Sequence, residues 1–250
     1  MNMSKNSKRV AYTAIYIAIV LLFAFTPIGF VPVGLTNATT LHISVILAGI
    51  LEGPLIGAIV GFVFGITSII NAIIKPNPIS LVFLNPIIAV VPRVLIGLLS
   101  GLVFKFMSKR DEKTNKAITL TVFTLIFIYY LRWVILYVGS PEIKTIIKVV
   151  NAVFLLLTLM ILAFIIKGSK KYRLDIVVPT FVGTLVNTGL VLSFMYLIYG
   201  TFIEGALGLD SGASKGYILA IATTNAIPEL IIAIVAVTVI ASRVLAIERR

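Results

Sequence analysis

Apolar blocks of about 20 residues, nearly free of charge, recur along this chain, and each is long enough to cross the roughly 30 Å hydrocarbon core of a bilayer as a helix. Inside lipid a backbone must satisfy its own hydrogen bonds, which a helix does within one segment. Charged residues amount to 12% against 60% hydrophobic, too little charge to cover a soluble domain of 250 residues. The expectation is an all-α integral membrane protein forming a single membrane domain over 1–250.

The blocks can be placed by their breakers. The first span covers 10–25 and a loop follows to residue 41. The apolar segment 42–51 is too short to cross comfortably by itself. Glu52-Gly53-Pro54 makes a tight turn, with Pro54 placed to start the next helix over 55–74. Lys75-Pro76-Asn77-Pro78 breaks the chain before a fourth span over 86–107. A basic linker, 108–116, leads to spans at 117–138 and 146–166, joined by a turn around Gly139-Ser140-Pro141. The last spans are 176–199 and 217–241, separated by a loop that holds Glu204 and Asp210. That makes eight hydrophobic segments, and the two halves share no motif that aligns.

A net charge of +12 suggests nucleic acid, but its placement argues otherwise. Lys5, Lys8 and Arg9 precede the first span, and Lys105, Lys109, Arg110, Lys113 and Lys116 follow the fourth. Lys167, Lys170, Lys171 and Arg173 form a third group, and Arg243, Arg249 and Arg250 end the chain. The alternate loops carry only Lys75, Lys144, Lys148 and Lys215. This is the positive-inside pattern of a multi-pass protein of the cell membrane with both termini cytoplasmic, its partner a lipid bilayer and not nucleic acid. The first apolar run reads as a retained helix, because no small-residue cleavage site follows Phe25. Without cysteine there are no disulfides and no thiolate metal sites.

Against this apolar background a few polar residues stand out. Arg93, Asn187, Asn225 and Glu229 lie inside spans, and His42 closes the run Asn37-Ala38-Thr39-Thr40-Leu41-His42. A charged or amide group at membrane depth is costly, so it faces a polar cavity or a partner. Arg93, about two turns into its span, is either a pocket cation for an anionic ligand or one half of an ion pair with Glu229, or it snorkels. Asn225 and Glu229 are four apart and share a helix face, with Pro228 loosening the ladder between them. Asn187 follows Gly183 by four; both asparagines can donate and accept toward a ligand or act as interhelical glue. Asn37, Thr39, Thr40 and His42 stand at the mouth of the expected pocket, and a lone histidine without cysteine does not supply the ligand set of a transition-metal site. Arg132 either snorkels or lines a second polar interface.

Gly53, Gly57, Gly61 and Gly65 recur every fourth residue, a stripe that lets helix backbones approach closely; Gly97 and Gly101 read likewise. Ala14 and Ala18 form a small-xxx-small pair on the first span, read as packing within the chain. No nucleotide-binding loop, zinc-protease or nucleophile-elbow signature occurs, so the chain is not expected to be an enzyme or to carry a cofactor.

Several ordered motifs resemble a known family. Asn37-Ala38-Thr39-Thr40-Leu41-His42-Ile43-Ser44-Val45 and Gly53-Pro54-Leu55-Ile56-Gly57-Ala58 look like the substrate-binding S components of energy-coupling factor (ECF) vitamin transporters, most similar to the pantothenate type. Further matches are Gly61-Phe62-Val63-Phe64-Gly65-Ile66-Thr67-Ser68, Val91-Pro92-Arg93-Val94-Leu95-Ile96-Gly97, Gly183-Thr184-Leu185-Val186-Asn187-Thr188 and Asn225-Ala226-Ile227-Pro228-Glu229. The resemblance implies a six-helix core, 10–108 supplying four helices and 174–243 the last two, with 117–168 an inserted helical hairpin. It implies a subunit that captures a vitamin from outside and docks on a transmembrane T component driven by two ATPase subunits. Small residues on the first helix of that family meet the T component, which here maps onto Ala14 and Ala18. Thr40, His42 and Arg93 would converge under the first long loop. Pantothenate is the leading substrate, Arg93 meeting its carboxylate while Thr40, His42, Asn187 and Asn225 bind its amide and hydroxyls. Folate or riboflavin capture, and a stand-alone proton-coupled transporter using Glu229, are the alternatives.

Overall fold

The computed structural model describes residues 5–33, 36–77, 79–141, 145–168 and 173–247. The side chains of Asn37, Asn225 and Pro228 lie outside the described residues. Among the described residues the regular elements are helical apart from one short ribbon. Helix α1 (Lys5–Ala24) leads to β1 (Phe30–Val33) and β2 (Thr36–Thr39), followed by α2 (Leu41–Leu51) and α3 (Pro54–Ile74). Next come α4 (Pro86–Ala89), α5 (Val91–Met107), α6 (Glu112–Tyr137) and α7 (Thr145–Gly168). The chain ends with α8 (Val177–Leu185), α9 (Val191–Leu207) and α10 (Ser214–Ile247). Among the described residues six helical stretches are long and apolar enough to cross a membrane, and two shorter apolar helices, Arg9–Ala24 and Leu41–Leu51, complete the expected eight.

The short second segment has a physical explanation. Every residue of α2 from Leu41 to Ile50 is buried, and a helix that is apolar all round belongs in an interior. Val45, Ile46 and Ala48 pack against Val20 of α1, Val60 and Phe64 of α3, Ile96 of α5 and Ala233, Val237 and Ala241 of α10. Thus α2 is the axis of the bundle, not a lipid-facing span.

Glycine makes this packing tight. A Cβ on Gly57 would collide with the backbone of Gly49 and Gly97, one on Gly61 with the carbonyl of Arg93, and one on Gly65 with the backbone at Val90. The stripe therefore joins α3 to α2 and α5 within the chain. Gly53 does not belong to it: it precedes α3 with φ of 101° and nothing near its missing side chain. Its role is the left-handed turn before Pro54.

Two loops contain more structure than the sequence suggests. The loop after α1 carries the antiparallel β1–β2 ribbon, Phe30 opposite Thr39 and Val33 opposite Thr36. The span expected at 176–199 continues to Leu207, interrupted by a π-helical turn at Val186–Leu190 and a kink at Tyr199. The following turn closes on Glu204, whose carboxylate accepts from Gly212 N at 3.0 Å and from the Ser214 hydroxyl at 2.6 Å.

Helices α6 and α7 form a hairpin at the edge of the bundle. Asp111 caps α6, and donation from the Thr114 hydroxyl and N–H holds its carboxyl below the usual range. The hairpin packs on the core where Phe123 and Ile165 meet Leu174, Val177 and Ile234.

Candidate functional site

A cavity of about 630 Å³ lies between α3, α5, the π-helical turn with α9, and α10, well within the usual size of small-molecule sites. Thr39 of β2 roofs it, Lys75, Asn77 and Ser80 stand in its wall, and Val191, Leu192, Met195 and Ile221 give it an apolar side.

Arg93 reaches this cavity from the second turn of the bent α4–α5 span, only 6% exposed. Its guanidinium lies between the rings of Phe64 and Phe83, 5.3 and 5.2 Å from their centroids, an arrangement that stabilises a cation away from water. Nη1 donates to the Ile88 carbonyl at 2.7 Å, and Nε has no partner among the described residues. Nor does any described carboxylate stand within ion-pair distance; the one ion pair among the described residues is Arg173–Asp175, at the other end of the bundle.

Glu229 faces the same cavity from α10 without pairing with Arg93. Its carboxylate accepts from Thr39 N at 2.8 Å, the Thr188 hydroxyl at 2.6 Å and Asn187 Nδ2 at 3.4 Å. Three donors therefore hold it as a buried acceptor, which is what makes a carboxylate tolerable there. Asn187 sits in the π-helical turn, a local irregularity that recurs at functional sites, and its Oδ1 has no partner among the described residues.

The structure thus brings Arg93 and Asn187 to one cavity. Thr40 does not line it: half-buried at the start of α2, it donates its N–H to the Gly29 carbonyl at 3.1 Å, while its neighbour Thr39 forms the wall. His42 is fully buried behind that wall. Neither ring nitrogen has a hydrogen-bond partner among the described residues, although the Thr39 main chain lies close by. Asn225 lies on α10, its side chain outside the described residues. Ala14 and Ala18 are exposed on one face of α1 and do not line the cavity, whereas Val20 and Ala24 of the same helix are buried.

Several wall residues were not singled out from the sequence. Phe64 and Thr188 figured only as members of longer motifs, Lys75 as part of a helix breaker, and Phe83 not at all. Only the hydroxyl beside Asn187 carried a usable signal, a second polar group at membrane depth.

No curated protein matches the chain. Residues 8–167, well over half of it, match the family described as ECF transporter, substrate-specific component. The matched stretch includes the central α2, the glycine stripe, Arg93 and most of the α6–α7 hairpin. This chain belongs to the ECF transporter substrate-specific component family.

Proposed function

We propose that the cavity captures a water-soluble vitamin, with pantothenate the favoured ligand. Membership of the family makes the chain a transport subunit and not an enzyme, working with a T component and ATPases. The observation that carries the ligand class is Arg93: a buried cation facing a cavity of about 630 Å³, with no carboxylate in ion-pair reach among the described residues. An anionic group on the ligand would satisfy it. Pantothenate brings one carboxylate, an amide, two hydroxyls and a branched apolar centre. Its carboxylate would meet Arg93, its amide and hydroxyls would meet Asn187, Asn225 and the Glu229 carboxylate, and its methyl groups would face Val191 and Leu192. Thr40 and His42 would act from behind, fixing the wall that Thr39 presents.

The basic residues Lys105, Lys109, Arg110, Lys167 and Arg173 gather at the end of the bundle away from the cavity. By the positive-inside rule that end is cytoplasmic, as are both termini, and the cavity opens outward. Ala14 and Ala18 are the proposed contact with the T component.

The test is calorimetric titration of the purified protein with pantothenate, alongside mass spectrometry of small molecules it releases. Tight one-to-one binding supports the reading. Indifference to pantothenate with capture of folate or riboflavin would overturn the substrate and keep the family.

A further inference from the structure

A second cavity, about 410 Å³, lies between the α6–α7 hairpin and the core helices α8 and α10. It starts where the hairpin is sealed to the core: Phe123 meets Phe181 edge to face at 5.5 Å, backed by Ile165 and Val177. Beyond that seal the two layers part. Tyr130 stacks flat on Phe154 at 4.9 Å on the hairpin side, with Leu185 and Leu230 on the core side. Leu125 and Tyr129, 62% and 63% exposed, form a lip open to the surroundings. All of these helices are candidate membrane spans, so the surroundings are hydrocarbon.

Just beyond the lip, outside the lining of the crevice, stands a charge. Arg132 follows Tyr129 by three residues and so shares its helix face; it is exposed, with no ion pair among the described residues. It lies five residues before Tyr137, the end of α6, or about 7.5 Å below that end at the helical rise. A guanidinium at that depth reaches the headgroup level, where its planar fork suits the two free oxygens of a phosphodiester.

We propose that this crevice seats one acyl chain of a bilayer phospholipid whose phosphodiester pairs with Arg132. The apolar walls match the chain, the exposed cation matches the phosphate, and one residue separates this seat from the ligand site. Thr188 lines both cavities, and its hydroxyl is the one that bonds Glu229. The bound chain therefore packs directly behind the wall of the polar cavity.

Native mass spectrometry of the full chain, detergent-washed and then supplied with dioleoylphosphatidylglycerol, reads this directly. Wild type retains one phospholipid per chain. Arg132→Gln lowers retention roughly tenfold, the scale of one charge-assisted hydrogen bond. Thr158→Phe fills the crevice and loses the lipid with Arg132 intact. Equal retention by wild type and Arg132→Gln, no retention by wild type, or equal retention of dioleoylglycerol, which lacks the phosphate, each overturns the proposal. Arg132 is exposed, so its variant decides the matter even where Thr158→Phe fails to fold.

Discussion

The main-chain N–H of Thr39 donates to Oε1 of Glu229 at 2.8 Å, tying the β1–β2 ribbon to the last helix across 190 residues of sequence. One carboxylate thereby fixes the roof of the cavity to its far wall. Glu229→Ala strands three donors, on Thr39, Asn187 and Thr188, and each buried unpaired donor costs about 1–3 kcal/mol. The expected outcome is faster amide hydrogen exchange at 36–40 together with a lower melting temperature. Glu229→Gln keeps one carbonyl oxygen and should fall between. Exchange at 36–40 that is unchanged in Glu229→Ala would show that the ribbon is held by other means.

Arg93 is the residue on which the ligand class depends. Arg93→Ala removes the cation between Phe64 and Phe83 and should weaken pantothenate binding by roughly a hundredfold or more, the scale of losing a buried charge partner. Arg93→Lys keeps the charge but loses the planar fork and the stacking, so an intermediate affinity is expected. Calorimetry combined with a melting curve separates binding from folding. A folded Arg93→Ala variant with wild-type affinity would remove this residue from the ligand contacts.

The position of Arg93 rests on Gly61. A Cβ at Gly61 would meet the Arg93 carbonyl, so Gly61→Ala must push α5 away from α3. Overpacking of this kind costs about 1–3 kcal/mol, and here the shift displaces the cation as well. Both the melting temperature and pantothenate affinity should fall. Gly139→Ala, with nothing within 4 Å of the added carbon, is the control and should change neither. Affinity unaffected in Gly61→Ala would mean the cavity tolerates movement of α5.

How legible all this was depends on the range of each interaction. The spans follow from local hydropathy, and the glycine spacing announces a close helix contact because its period matches one helix face. That α2 is the buried axis could be suspected from its length but not located, since burial depends on α1, α3, α5 and α10 surrounding it. Arg93 and Asn187 were conspicuous because a polar group in hydrocarbon demands a reason. Thr39 and Thr40 were both legible at the mouth of the pocket, but which of two adjacent threonines lines the cavity depends on the ribbon register. Gly53 looked like part of the stripe because spacing does not reveal a positive φ. Glu229 was equally conspicuous, but its pairing with residues about 40 and 190 positions away leaves no local trace.

Ala14 and Ala18 give the last prediction. They lie four apart on α1, exposed, while Val20 and Ala24 of the same helix are buried against the core. Small side chains on an outward face let a second helix approach closely, and in lipid such packing substitutes for hydrophobic drive. Replacing both by leucine adds bulk only to that face, so pantothenate affinity and melting temperature should stay at wild-type values. Co-purification with the T component should be lost, and with it ATP-dependent uptake in reconstituted vesicles. A double variant that still assembles and transports would place the docking surface elsewhere, with the lipid-facing side of the α6–α7 hairpin the next face to probe.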